Sequence, residues 1–360
     1  MTSIDPAGSS VSGNDPKDNM RGSSARVSQF SYARVTACIA IVLLHCVNSA
    51  RVYHAESISA GEKAAAFAAC SALMWAVPVF LMVTGALLLD PARKLGAAKL
   101  LKYIKRVAIA LVIFTIIFTL IKHEPGSGFA GLAKEFFDGL LFNHCMAYLW
   151  YLYLMIALYL LMPLFKLMTE RLSRGQLRAA AAAAMLIASV LPLGTYAGIE
   201  ACRYIPTQII YAVYLFIGRW LYERKAGRSG AGGVTALSAA VFIVTTAVLP
   251  FITYRLMNAG IDPSGLTGYN SPLVILQSAA AFSLILSIRS EAGSLIESID
   301  RCTFGIYLIH MIFVRLVMKE LGVNPFMFGP FGFAGMTIVF FLASYGVTLL
   351  VKRYSPVDFL

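Results

Sequence analysis

Two polar residues in the first apolar segment, Arg34 and His45, have the types and the spacing of a reaction site inside a membrane. Eleven residues of α-helix make almost three turns, so both side chains are predicted on one face, roughly 16 Å apart along the axis. Ionisable groups within a membrane span are costly and usually functional. A cation near the membrane edge and a proton acceptor further in suit an enzyme that holds a long anionic donor at the surface.

His45 is the first candidate for catalysis, because a neutral imidazole is the usual general base for a hydroxyl. Asn48 and Ser49 lie one turn further along the helix and are candidates to orient the ring. A structural histidine that bonds a neighbouring helix is an equally supported interpretation of its position.

A basic run at the start of the third apolar segment supplies candidate phosphate ligands. Lys102, Lys105 and Arg106 enter that segment from the same side as Arg34. Together with Arg34 they are predicted to bind an anionic donor. Taken singly, each of these cations also fits a purely topological role.

A second histidine, His310, follows Tyr307 by three residues in a late apolar segment, so the two share a helical face. They support an interior polar site, although a structural tyrosine–histidine bond fits equally well. Trp150, in an aromatic run at the start of another segment, is typical of a membrane-interface belt, and stacking on a sugar is the functional alternative.

One apolar segment pairs a proline with a glycine seven residues on, at Pro78 and Gly85. A kinked span that leaves room for a cavity is one interpretation. Close packing of an ordinary helix against a neighbour is the other, and the pattern favours it somewhat.

Composition places these residues in a polytopic membrane protein. Of 360 residues, 59% are hydrophobic and 13% are charged, and the mean hydropathy is +0.74; a soluble domain is nearer a quarter charged. The fold class is therefore predicted as all-α, with about ten transmembrane helices. The predicted spans are 34–53, 68–89, 103–121, 147–168, 179–197, 205–222, 234–254, 271–288, 303–319 and 331–351.

Loop charges predict the orientation of these spans. Basic residues follow the second, fourth, sixth and last spans, whereas the intervening loops are mixed or acidic. The positive-inside rule then places both termini in the cytoplasm. The predicted domains are a disordered cytoplasmic tail (1–29), a membrane domain (30–354) and a short cytoplasmic tail (355–360).

Several classes of function have no support in the sequence. The net charge of +12 lies in short loops, so it is assigned to topology and no nucleic-acid partner is expected. No metal is expected, since the six cysteines lack ligand spacing; a disulfide between Cys145 and Cys202 is an open alternative. Phosphate-loop, dinucleotide and zinc-protease motifs are absent from the sequence.

Four ordered segments resemble the membrane acyltransferase-3 family. They are the Arg-x10-His pair ending at His45, the segment Val77-Pro-Val-Phe-Leu-Met-Val-Thr-Gly85, Leu149-Trp150-Tyr151 with Pro163, and Phe304-Gly-Ile-Tyr-Leu-Ile-His310. The resemblance covers about residues 30–351 and is greatest for stand-alone O-acetyltransferases of bacterial surface polysaccharides, such as those acting on enterobacterial common antigen.

The resemblance implies an O-acyltransferase of the bacterial inner membrane. An acyl group, commonly acetyl, would move from acyl-CoA as co-substrate, with no permanently bound cofactor, to a hydroxyl of an envelope glycan or lipid-linked sugar. It implies His45 as the catalytic residue and Arg34 as a donor-binding or organising residue. The family's Arg-x-x-Arg pair maps imperfectly, since Lys102 and Lys105 keep its spacing and Arg106 its residue type. Tyr148 stands where the family has a histidine.

Two other classes of function remain as alternatives. An exporter of polysaccharide or lipid-linked sugar explains the spans and the outer aromatics but gives the Arg34–His45 pair no task. A membrane scaffold or sensor would tolerate substitution of both His45 and His310.

Overall fold

The computed structural model describes residues 16–123, 126, 128–226 and 232–354, and every regular element in this part of the chain is helical. Residues 1–15 and 355–360 of the predicted tails lie outside it. The helices are α1 (Pro16–Tyr53), α2 (Ala60–Ser71), α3 (Ala76–Leu88), α4 (Ala97–Lys122), α5 (Gly128–Phe142), α6 (Trp150–Arg171), α7 (Arg174–Met185), α8 (Ile210–Ala226), α9 (Gly232–Asn258), α10 (Ser264–Thr267), α11 (Pro272–Leu286), α12 (Ser294–Val314) and α13 (Gly329–Tyr354).

Nine helical segments in the described part of the chain are long and apolar enough to cross a membrane. The remaining predicted span, the sixth (205–222), corresponds to α8, which has 17 residues and continues a short 3₁₀ turn, Thr207–Ile209. The all-α polytopic class is therefore confirmed. The second span begins earlier than predicted, because a capping box at Ser59 and Glu62 starts α2 at Ala60.

Helix α1 is the central element of the fold and contacts α2, α3, α11, α12 and α13. Its first turns are fixed to the loop before α12: the Ser28 hydroxyl accepts from the backbone N–H of Ala292 at 2.9 Å, and the Gln29 amide donates to the Ile288 carbonyl at 3.0 Å. These two bonds are made by the last two residues of the segment 1–29 that was predicted as a tail.

Helices α1 and α12 run parallel and in register. Arg34 pairs with Asp300, and further along the same helices the Cys38 thiol donates to the Thr303 carbonyl at 3.7 Å. The partners differ by 266 and 265 residue positions, respectively. A constant offset holds only if the two helices advance together in one direction, so any residue on the inner face of α1 meets its counterpart on α12.

Two glycines allow α3 and α8 to cross at backbone contact. A Cβ atom added at Gly85 would lie 1.9 Å from the Leu215 carbonyl oxygen, and one added at Gly218 would lie 2.1 Å from that of Met82. Close packing therefore accounts for Gly85, as the sequence pattern favours. A different face of α3 presents Val77, Phe80 and Thr84 to a cavity.

All six cysteines are free thiols, so the alternative of a Cys145–Cys202 disulfide does not hold in this structure. Cys145 is buried between spans, where burial raises the pKa of its thiol. It donates to the Thr115 carbonyl at 3.6 Å and acts as a packing residue.

Candidate active site

A cavity of about 590 Å³ opens between six helices and is lined by three of the predicted site residues, Arg34, Arg106 and Tyr307. It lies at the end where α1, α4 and α12 begin and α13 finishes, which is the end that the loop charges assign to the cytoplasm. The polar and charged residues that line it are Arg34, Thr84, Tyr103, Arg106, Tyr151, Tyr159, Asp300, Arg301, Thr303, Tyr307 and Lys352.

Arg34 is held in this cavity by Asp300, a residue not predicted from the sequence. The guanidinium donates from Nε to Oδ1 at 2.5 Å and from Nη2 to Oδ2 at 2.6 Å, and Ser31 adds a third hydrogen bond to Oδ2 at 2.7 Å. These two parallel bonds are bidentate and fix the Arg34 guanidinium plane relative to the Asp300 carboxylate plane. Asp300 precedes His310 by ten residues, nearly the Arg34–His45 spacing, and that repeated spacing was the signal that could have revealed it.

Arg106 is the member of the basic run that reaches the cavity. Its guanidinium lies 5.3 Å from the centre of the Phe304 ring, and its Nε is buried without a hydrogen-bond partner in the described structure. Lys102 and Lys105 are exposed and do not line the cavity. Arg301 and Lys352, which were not predicted as site residues, join Arg106 there.

The two intramembrane histidines meet beyond the inner end of the cavity. The ring centres of His45 and His310 are 5.2 Å apart. His310 lies with Nδ1 3.1 Å from the Ile306 carbonyl. A carbonyl only accepts, so this nitrogen carries the proton, and Nε2 is left as a buried acceptor without a partner in the described structure.

His45 is half-buried, and neither of its ring nitrogens hydrogen-bonds to any residue that the structure describes. The predicted orienting residue, Asn48, instead accepts from Arg51 at 2.8 Å. Both ring nitrogens of the base candidate are therefore available, and the His310 ring lies beside it.

Two tyrosines close the space between the cavity and the histidine pair. Tyr307 lines the cavity and donates its hydroxyl to the Tyr148 carbonyl, while the Tyr148 hydroxyl donates to the Leu308 carbonyl at 2.8 Å. The Tyr148 ring lies 6.0 Å from the His45 ring and 5.8 Å from the His310 ring. Tyr148 thus occupies the centre of the site and was not among the predicted site residues.

Trp150 lies apart from the histidines, in an aromatic cluster with Tyr211 and Tyr269, each with ring centres 5.6 Å from its own. The cluster reaches the site through Tyr151, whose ring is 5.6 Å from that of Tyr307. Trp150 therefore packs behind Tyr151, which lines the cavity, and does not contact the histidine pair.

A bundle of apolar helices around a cavity, with two histidines beyond its inner end, is typical of a membrane protein that acts on a small molecule. The comparison with known families gives the class. The chain belongs to the acyltransferase-3 family: the family's acyltransferase domain matches residues 27–349, which include Arg34, His45, Arg106 and His310. No curated protein and no solved structure matches this chain significantly.

Proposed function

We propose that this acyltransferase moves an acetyl group from acetyl-CoA to a hydroxyl of an envelope glycan or lipid-linked sugar in the bacterial inner membrane. The observation that carries the proposal is the position of His45, with its ring nitrogens unpaired, beyond a cavity whose mouth bears cations. The sequence resemblance to polysaccharide O-acetyltransferases supports the choice of acyl group and acceptor.

The cavity fits the donor by size and by charge. Its volume of about 590 Å³ lies within the usual 300–1,000 Å³ of small-molecule sites. Arg106, Arg301 and Lys352 provide positive charge for the CoA phosphates at the mouth. The charge of Arg34 is neutralised by Asp300, so we assign Arg34 to organising the mouth, not to binding phosphate directly.

The thioester must pass the tyrosine pair to reach His45. Ile41, one helical turn before His45, lines the cavity, but His45 itself does not. Displacement of the Tyr307 side chain, which spans this gap, would bring the acyl carbon to the imidazole. A closed resting arrangement also keeps water from the thioester.

The reaction then needs one base and one leaving group. A nitrogen of His45 accepts the proton of the acceptor hydroxyl while its oxygen attacks the thioester carbonyl carbon. The C–S bond breaks, and CoA leaves as a thiolate that takes the proton back from His45. An ester on the acceptor and free CoA thiol are the products, so protons and electrons balance. Transfer through an acyl-histidine is the variant of this route.

Incorporation of labelled acetyl groups into envelope glycan tests the proposal in cells that carry His45→Ala. We expect a loss of at least about 100-fold, the lower range for a positioned general base. His54→Ala is the matched control, because His54 is also half-buried but contacts the Val323 carbonyl away from the cavity. Wild-type incorporation by stably inserted His45→Ala protein would overturn the catalytic assignment. Unchanged acetylation with lost glycan transport on gene deletion would favour the exporter.

A further inference from the structure

A second group of cations lies on the far side of the histidine pair from the donor cavity. Three helices that meet at the histidines each carry a polar residue further toward the opposite end, here called the outer end. Arg315 follows His310 beyond α12, Lys122 ends α4, and Tyr53 ends α1.

Arg315 is the buried member of this group, with 7% of its surface exposed. It begins a π-helical segment, Arg315–Glu320, and such segments often mark functional sites. Its Nη2 pairs with Glu320 at 3.0 Å, and it also interacts with the Tyr53 hydroxyl. Its Nε is buried and has no partner in the described structure, so one strong donor is left unused.

Lys122 is close enough to both Lys319 and Arg315 for their charges to interact. Lys122 lies one helical turn beyond Phe118, whose ring packs on Tyr148 with ring centres 5.9 Å apart. Helix α4 therefore places Lys122 close to the histidine pair. Lys122 also donates to the carbonyl of Cys145, three residues before Tyr148. The group therefore sits directly outward of Tyr148, which touches both histidines.

The described charges of this group do not cancel. Arg315, Lys122 and Lys319 are three cations, and Glu320 is the single carboxylate paired with them. Glu320 is about half exposed (46% of its side chain), so an incoming anion can replace it at little desolvation cost. A buried arginine with an unused donor, flanked by the exposed Lys122 and Lys319, is suited to an anion that arrives with a substrate.

We propose that Arg315, Lys122 and Lys319 form the acceptor subsite and bind an anionic group, a phosphate or a sugar carboxylate, of the molecule that is acylated. This rests on the proposed function, because it supplies the acceptor side of that reaction. Phosphate would come from a lipid carrier and carboxylate from an acidic sugar. Binding there would hold a nearby hydroxyl against His45 from the side opposite to the thioester.

Anion binding by the full-length protein in detergent tests the subsite without any acyl transfer. Inorganic pyrophosphate and glucuronate are the two probes, and the thermal midpoint is measured with each. We expect one of them to raise the midpoint of the wild type and of Arg106→Gln, which lacks a donor-side cation. The rise should be clearly smaller in Arg315→Gln and Lys122→Gln, in which only the donor-side cations remain to bind the probe. A rise with pyrophosphate alone identifies a phosphate site, and a rise with glucuronate alone a carboxylate site. No rise with either probe, or an equal rise in Arg315→Gln and Lys122→Gln, would overturn the proposal.

Transfer assays then link the subsite to the acceptor. Lys122→Gln and Lys319→Gln should raise the acceptor concentration needed for half-maximal acetylation of extracted envelope glycan by roughly 10-fold or more, the scale of a charge-assisted bond, with the acetyl-CoA requirement unchanged. Arg203→Gln removes an exposed cation near α8 and is the matched control. An acceptor requirement equal to that of the control would reject the subsite. Failure of the proposed function looks different, because the wild type itself would then transfer no acetyl group while anion binding persisted.

Discussion

The neighbour of His45 decides how that residue works as a base. The structure places the His310 ring, with an unpaired Nε2, 5.2 Å from the His45 ring, centre to centre. An acceptor beside one imidazole can take an N–H bond from the other and so fix which nitrogen faces the substrate. We therefore assign His310 a positioning role.

Replacing His310 by phenylalanine should lower the turnover number by roughly 10- to 1,000-fold and leave the Michaelis constant for acetyl-CoA nearly unchanged. The reason is that the wrong tautomer of a base costs rate, not donor binding. Steady-state acetylation by purified protein measures both constants.

The control for this change is His310→Gln, whose side chain retains an acceptor. Partial recovery of turnover in that variant is expected. If the turnover number of His310→Phe equals that of the wild type, His310 is only a packing residue.

The Arg34–Asp300 pair makes a prediction about stability as well as activity. Removing Asp300 leaves the Arg34 cation without its partner, and breaking a fully buried ion pair lowers the free energy of unfolding by about 3–5 kcal/mol. Arg34 is about a quarter exposed (26%). We therefore expect Asp300→Ala to lower the free energy of unfolding by about 1–3 kcal/mol. Thermal unfolding in detergent measures the loss.

The double variant Arg34→Met with Asp300→Leu separates the two roles of the pair. It should recover most of the lost stability, since apolar residues can replace an ion pair, but it should not recover acetyl transfer. Recovery of both would show that the pair is structural only.

The sequence revealed single candidate residues better than their partners. His45 and His310 were each recognisable from position within an apolar run, and the resemblance favoured His45. Their contact depends on the register of α1 and α12, which lie more than 250 positions apart in the chain. Asp300 was missed because it lies just before the predicted span 303–319, so it did not count as an ionisable residue within the membrane.

At the scale of whole helices, the basic run of α4 shows what a spacing pattern cannot predict. It identified the cations but not which of them face the cavity. Lys105 and Arg106 are neighbours in sequence and so point about 100° apart around the helix. Lys102 shares the face of Arg106 but lies one turn nearer the helix start, and of the three only Arg106 lines the cavity. Tyr103 and Arg106, at i and i+3, share the face that lines the cavity. Which face meets the bundle is set by neighbouring helices and is not visible in the run itself.

The α3–α8 crossing supplies a prediction about element packing. Gly85→Ala and Gly218→Ala should each destabilise the protein by about 1–3 kcal/mol, because a methyl group would overlap backbone that cannot move aside. Val77, Phe80 and Thr84 of α3 line the cavity, so the shift should also weaken acetyl-CoA binding. Thermal unfolding and donor titration measure the two effects.

Gly346→Ala is the matched control for both variants. Gly346 lies in α13, and a Cβ atom added there would meet no atom within 4 Å. Its replacement should be neutral or slightly stabilising, since alanine favours helix more than glycine does. Equal losses in all three variants would show that the crossing has no special tightness.

The whole molecule is arranged as two charged regions on either side of one histidine pair. The donor cavity occupies the end where α1 begins, and the proposed acceptor subsite occupies the other. The parallel direction of α1 and α12 makes this possible, because each helix carries a charge near its start and a histidine further in. That order supports the proposal of a reaction that draws its two substrates from opposite faces of the membrane.

The orientation of the protein in the membrane decides which of these two regions faces the cytoplasm. Cysteines placed at Arg174 and Glu200 report on the loops after the fourth and fifth predicted spans, and both positions are exposed. A membrane-impermeant maleimide added to intact cells should label Glu200→Cys and leave Arg174→Cys unlabelled until the membrane is opened, because basic loops stay in the cytoplasm.

The background for this experiment is Cys202→Ala, since Cys202 is half-buried two residues from Glu200 and the other five thiols are buried. The reverse labelling pattern would place the cavity mouth on the outer face of the membrane. Acetyl-CoA is made in the cytoplasm, so that result would remove the donor assignment of Arg106, Arg301 and Lys352. The expected pattern puts these three cations where acetyl-CoA is available and leaves the Arg315 group facing the envelope.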